Sequence, residues 1–181
     1  MKYLTFILIF INIYKVMNIR RIISGIIQEH LSEQEESGDI WYHGTDDLFD
    51  IPRFENGGLE PGVHLGNHNQ AMNIKKRLHG GNPKYINKYR VSKINPLRVD
   101  DMLYWTTTDL KEVLSKKGIE VETTGKGMWG SRYTKPEDII NALSEHGYDS
   151  LIYDNEHEGK GDSIILFHPH QLKFLDREEF T

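Results

Sequence analysis

Three stretches of this chain hold side chains able to do chemistry on a flat, charged ligand. The first is Tyr42-His43-Gly44-Thr45. The second is Gly62-Val63-His64-Leu65-Gly66, with Gln70-Ala71 behind it. The third runs from Gly147-Tyr148-Asp149 through Tyr153-Asp154-Asn155-Glu156 to Glu158, followed by Asp162 to Phe167. An imidazole can stack on a ring and still donate a hydrogen bond. A glycine lets the backbone approach a flat ligand because no side chain blocks it. A carboxylate stabilises a developing positive charge or accepts a proton. Taken singly, each stretch reads as structure: a turn at a strand end, a glycine loop, a solvated acidic hairpin. His43, His64 and His68 form a conceivable metal set, but His64 falls on a strand and no nearby carboxylate completes a site, so no metal is expected.

The elements that must position these residues follow from local patterning. Trp41-Tyr42-His43 reads as a first strand ending at Gly44-Thr45, and Val63 to Leu65 as a short second one. Asn67 caps a helix reaching Leu78, on which Ala71, Ile74 and Leu78 share a face; Asn67 and Gln70 read as cap and surface residues. Tyr85, Asn87, Tyr89 and Val91 alternate with Ile86, Lys88 and Arg90, as a strand requires. Leu97-Arg98-Val99 is another short strand after the Asn95-Pro96 turn. Thr108 is read as the cap of a helix from Asp109 to Lys117, and Lys135-Pro136 opens one running to Glu145. Tyr148 to Tyr153 and Asp162 to Phe167 are strands joined by the polar loop 154–161. Helices and strands interleave without a regular βαβ rhythm, so the expected class is α+β. Trp105 and Trp129 read as core or loop-packing residues. The segment 118–134 is too short a glycine pattern for a phosphate loop and is expected to be a loop beside an acceptor site.

Composition narrows the function classes. The 181 residues carry a net charge of −5, with 38% hydrophobic and 27% charged residues, which fits one soluble domain and predicts no general attraction to nucleic acid. The absence of cysteine excludes a disulfide framework, a thiolate zinc site and a cysteine nucleophile. Residues 1–37 are expected to form a hydrophobic leader, an amphipathic helix and an acidic linker; 38–181 are expected to form the domain. The apolar run 3–14 is shorter than the ~20 residues of a spanning helix. Two readings stand open. Either the run is a genuine leader, making the protein secreted or membrane-associated, or translation starts at Met17, which opens an amphipathic helix with Ile19, Ile22, Ile23, Ile26, Ile27 and Leu31 on one face. The second reading predicts a cytoplasmic location in a host cell.

In their order and spacing, the three stretches resemble the ADP-ribosyltransferase superfamily. They are closer still to its phage-associated branch, with His-Gly-Thr, Gly-x-His-hydrophobic-Gly and a late Tyr-x-Asn-Glu-x-Glu-Gly hairpin. The resemblance covers about residues 40–173, including Asn95-Pro96-Leu97-Arg98 and Pro169-His170-Gln171-Leu172-Lys173. It implies a split β-sheet core with flanking helices that holds NAD, as substrate, in a cleft. It implies that His43 bonds a ribose hydroxyl, that Gly44 pairs its backbone with the nicotinamide carboxamide, and that Thr45 and His64 line the site. His64 stands where many transferases carry a tyrosine. Arg98, with Arg90 beside it as a candidate, is expected to pair with the pyrophosphate.

The acidic residue departs from the family pattern. Many transferases place a glutamate at the start of the late strand; here that position is Ser163. The candidates sit in the preceding loop, with Glu156 expected first and Glu158 second. Cleaving the nicotinamide–ribose bond leaves an oxocarbenium-like cation, and a carboxylate beside that ribose stabilises it. The expected function is mono-ADP-ribosyl transfer from NAD to a macromolecular acceptor, with protein ahead of other acceptors. The alternatives are NAD hydrolysis, or a non-catalytic module of the same fold serving a phage as a structural or host-binding part.

Overall fold

Two β-sheets and a two-stranded ribbon form here, and the site lies where the two sheets meet. The computed structural model describes residues 19, 20, 23, 38–54, 61–79, 81–92, 94–102 and 104–180. The chain divides into two units, Met1–Gly38 and Asp39–Thr181. In the first unit Ile19, Arg20 and Ile23 are helical and exposed. The apolar run 3–14 and the remainder of the expected helix and linker lie outside the described residues. Among the described residues no helix is long and apolar enough to cross a membrane.

In chain order the second unit contains β1 (Asp39–Thr45), β2 (Val63–Leu65), α1 (His68–His79), β3 (Tyr85–Val91), β4 (Pro96–Arg98), α2 (Thr107–Lys116), β5 (Gly125–Lys126), β6 (Arg132–Tyr133), α3 (Pro136–Glu145), β7 (Ser150–Asp154), β8 (Asp162–Leu166) and β9 (Leu172–Glu179). Short 3-10 turns occupy Met128–Gly130 and Pro169–Gln171. The first sheet has the order β1-β3-β9 and is antiparallel throughout. The second has the order β2-β8-β7-β4, antiparallel except for the parallel β4–β7 pair. This is an α+β arrangement.

Period-two alternation along β8 makes it the centre of the molecule. Ile165, with Phe167 beyond the strand end, faces α2 and α3 in a cluster with Val99, Leu110, Leu114, Ile139, Leu143 and Leu151. Ile164 and Leu166 face the opposite way, against Val63, Leu65, Tyr89, Val91 and Leu172. Both faces of one strand are therefore buried, which fixes its register strongly.

Two helix starts differ in how well the sequence signals them. Thr106, not Thr108, caps α2: its hydroxyl accepts from Asp109 N at 3.3 Å and bonds Asp109 Oδ2 at 2.6 Å. The spacing decides it, because only Thr106 has an acidic residue three positions on. α3 begins at Pro136 as expected, and ends at Gly147, whose φ of 83° places it in the left-handed region that glycine tolerates. Asp138 in its first turn accepts from Thr124 N, Thr124 Oγ1 and Lys135 N. Burial opposes the ionised form of Asp138, but those donors outweigh it and hold the carboxyl below its usual range.

The sequence pattern gives no warning of two elements. One is β9, five of whose eight residues are charged, which completes the first sheet. The other is the β5–β6 ribbon within the segment expected to be a loop. Its tip carries Trp129, fully exposed and at φ 65°. Trp129 is thus no packing residue. Trp105 is buried, as expected.

Candidate active site

The two sheets touch at an isolated bridge between Tyr42 of β1 and Gly66, just after β2. Tyr42 N donates to Gly66 O at 2.8 Å and Gly66 N to Tyr42 O at 3.0 Å. Both backbone groups of Tyr42 therefore point away from β3. Strand alternation points those of Gly44, two residues on, the same way, into the gap past the bridge. Gly44 cannot carry a side chain for a different reason. A β-carbon there would sit 2.1 Å from Ala71 O on α1. Close helix packing, rather than clearance for a ligand, accounts for this glycine.

A cleft opens at this junction, enclosing about 260 Å³ with its mouth included. Its lining draws on all three sequence stretches: Tyr42, His43 and Gly44; His64, Leu65 and Gly66; Tyr153, Glu158 and Ser163. Gln70, Ala71 and Ile74 of α1 close one wall. The expected residues His43, Gly44, His64 and Glu158 are brought together. Thr45, Glu156, Arg98 and Arg90 are not among the lining residues.

Hydrogen bonding fixes the protonation of His43. Its Nδ1 lies 2.9 Å from His64 O. A carbonyl only accepts, so in the neutral ring Nδ1 carries the proton and Nε2 is left as an acceptor. Burial pushes the His43 pKa down, which keeps the ring neutral at pH 7. His64 is pushed down to about 4, first by burial and then by the neighbouring His43. Its Nδ1 lies 3.3 Å from Tyr153 Oη, and its ring meets Trp105 edge-on at 5.5 Å. Its Nε2 is buried and finds no hydrogen-bond partner among the described residues. A buried polar atom left so costs free energy unless a ligand or water satisfies it.

The loop between β7 and β8 sends its two glutamates in different directions. Glu156 is exposed, and its N–H donates outward to Asp101 Oδ2 at 2.9 Å. Glu158 turns inward. Asn155, buried, donates through Nδ2 to Glu158 Oε2 at 2.7 Å and to Ser163 Oγ at 3.0 Å. Of the two expected glutamates, Glu158 lines the cleft and Glu156 does not. The reason is a clamp from α1. Asn73 Nδ2 donates to Glu158 O at 2.9 Å, Gln70 Nε2 to Gly159 O at 2.9 Å and Gly161 O at 2.8 Å, and Asn67 Nδ2 to Lys160 O at 3.1 Å.

Gln70 is therefore no surface residue; it is 2% exposed. Asn67 is the cap expected of it, within a reciprocal pair: Asn67 N donates to Gln70 Oε1 at 2.6 Å and Gln70 N to Asn67 Oδ1 at 3.0 Å. The signal for this clamp was available as three amide side chains at i, i+3 and i+6, a stripe along one face of a helix.

The remaining expectations are placed elsewhere. Arg98 makes a two-pronged pair with Asp162, at 2.8 and 2.6 Å, on an exposed part of the second sheet. That carboxylate consumes the guanidinium fork expected for a pyrophosphate. Arg90 lies on β3 between Ile40 and Lys173. Thr45 Oγ1 accepts from Asp47 N at 3.1 Å, closing a turn. His68 points to Glu178 on β9, with Nε2 3.0 Å from Oε2. Among the described residues no three histidine or carboxylate side chains gather as metal ligands.

No family model matches the chain, and no curated protein matches it. Two solved structures are similar to it. One is the crystal structure of the M. tuberculosis MbcT–MbcA toxin–antitoxin complex, at 12% identity and a TM-score of 0.46, covering 81% of this chain and 86% of that one. The other is the crystal structure of an anti-CRISPR protein, at 12% identity and a TM-score of 0.35, covering 77% of this chain and 97% of that one. These likenesses are distant, and neither carries a statement about function.

Proposed function

We propose that the unit Asp39–Thr181 is an ADP-ribosyltransferase-like domain that binds NAD and transfers its ADP-ribose to a macromolecular acceptor. The observation that supports this best is the convergence of His43, Gly44, His64 and Glu158 on one cleft from three distant stretches. Gly44 turns its backbone N–H and C=O toward the gap, the pairing a carboxamide needs. His43 Nε2 is the acceptor for a ribose hydroxyl, and the orphan Nε2 of His64 gains a partner in the ligand. In this reading the nicotinamide–ribose end enters the cleft and the rest of NAD lies over the surface.

Glu158 then stands beside the anomeric carbon. The C1′–N bond breaks and its electron pair leaves with nicotinamide, which departs neutral. The ribose carries the positive charge, stabilised by the carboxylate. The acceptor's nucleophilic atom bonds C1′, and its proton passes to Glu158 or to solvent. With water as acceptor the same steps give NAD hydrolysis. The family's strand glutamate is Ser163 here, which favours a non-catalytic module. Against that reading, Glu158 brings a carboxylate to the cleft from the loop.

The test is incubation of the purified protein with labelled NAD and cell lysate. Label transfer to protein is expected from the wild type. Glu158→Gln should lower nicotinamide release by ~10²–10³-fold, and Glu156→Gln should leave it within about threefold. Free ADP-ribose without labelled acceptor would identify a hydrolase. Absence of both turnover and NAD binding by calorimetry would sink the enzyme reading.

A further inference from the structure

We propose that Asn155 is the positioning residue that delivers the Glu158 carboxylate to the cleft, in place of an acid carried on the strand at position 163. The inference rests on the reading of Glu158 given above. Asn155 is 2% exposed, and its side chain is saturated. Oδ1 accepts from His157 N at 3.1 Å and Glu158 N at 2.9 Å. Nδ2 donates to Glu158 Oε2 at 2.7 Å and to Ser163 Oγ at 3.0 Å. A primary carboxamide has two donor hydrogens and an acceptor oxygen with two lone pairs, and all are used. The two backbone N–H groups on one side leave no ambiguity about which end is oxygen.

One side chain thus does two things. Its oxygen folds the chain into a turn that points residue 158 back toward the sheet. Its nitrogen then holds the carboxylate that arrives there, through a charge-assisted bond. Ser163 supplies the anchor across the hairpin. It is small, so it leaves room beside Tyr153 for a carboxylate arriving from the loop, and its hydroxyl fixes the second amide hydrogen. Asn155 N, bonded to Gly161 O at 2.9 Å, ties the base of the loop shut. No other residue type has this valence at this size. Aspartate keeps the turn, but loses both donors and sets a second negative charge against Glu158.

The test compares Asn155→Asp and Asn155→Ala, each alone and in the Glu158→Gln background, by nicotinamide release from NAD. Asn155→Asp should lower kcat by roughly 10- to 100-fold, the cost of misplacing a catalytic group by about an ångström, with KM within about threefold. In the Glu158→Gln background it should cost nothing further, because Asn155 acts only through that carboxylate. An equal loss in both backgrounds, or a change confined to KM and melting temperature, overturns the proposal. Wild-type turnover in Glu158→Gln, or none in the wild type, defeats the functional reading alone. The positioning contact is then read directly from the Asn155 side-chain amide in a nitrogen–proton NMR spectrum. One amide proton should shift in Glu158→Gln and the other in Ser163→Ala. An amide that ignores the Glu158 substitution overturns the proposal whatever the enzymology shows.

Discussion

At Gly44 a single missing methyl group carries much of the geometry. A β-carbon there would press on Ala71 O at 2.1 Å and on Ile74 Cγ2 at 3.3 Å, so α1 would have to lift from β1. The predicted consequence of Gly44→Ala is a loss of stability of about 1–3 kcal/mol, read as a lower urea midpoint at constant slope. Activity should fall further than stability, because α1 also carries the side chains that hold the Glu158 loop. At this scale the sequence is informative about type and poor about direction. His43, Gly44 and His64 stand out in the sequence as residues suited to a flat ligand, and all three line the cleft. Glu156 and Glu158 are two identical side chains two positions apart, and nothing local says which faces inward. Long-range bonds to Asp101 and to α1 settle it.

Among the elements, α1 does more than cover β1. Gln70, itself buried, donates through Nε2 to two half-buried carbonyls of the 158–161 loop while Oε1 receives Asn67 N. Gln70→Ala leaves those half-buried carbonyls and that N–H without their protein partner, at a cost on the order of 1–2 kcal/mol. The measurable signature is faster hydrogen exchange confined to residues 155–161 and the start of α1, with the β8 core unchanged. Elements with strong local signals were legible: β3 by its alternation, α3 by its proline start and glycine end, β7 and β8 by their apolar runs. The cap of α2 shows how three consecutive threonines blur a boundary that one acidic residue resolves. β9 was hidden because Lys173, Asp176, Arg177, Glu178 and Glu179 break an apolar alternation. Its pairing comes from β3, more than eighty residues earlier. Two-residue strands such as β5 and β6 lie below what any pattern can signal.

For the molecule as a whole, the buried histidines tie folding to pH. His64 titrates near 4 in the folded protein against an ordinary 6.5, and His43 is shifted in the same direction. Between those values the unfolded chain binds more protons than the folded one, so stability rises with pH across the window. Acidification from 6.5 toward 4 is predicted to destabilise the unit by about 1.4 kcal/mol per pH unit for His64 alone, on the order of 3 kcal/mol in total. Denaturant titrations at pH 7.5 and 5 check this; a flat profile would show that the rings are solvated. Substitution of His64 by Asn should remove its share of the slope and leave that of His43.

The upright indole on the β5–β6 ribbon also gives the protein an optical asymmetry. Of the three tryptophans, Trp105 is buried, Trp41 half-buried and Trp129 fully exposed, so they absorb the same light in very different surroundings. Iodide in solution should extinguish the red side of the fluorescence and spare the blue. Trp129→Phe should narrow the emission band and shift it to shorter wavelength. What survives is light from half-buried Trp41 and from Trp105 packed beside His64 and Tyr153; Trp41→Phe in addition leaves the second as a lamp beside the cleft.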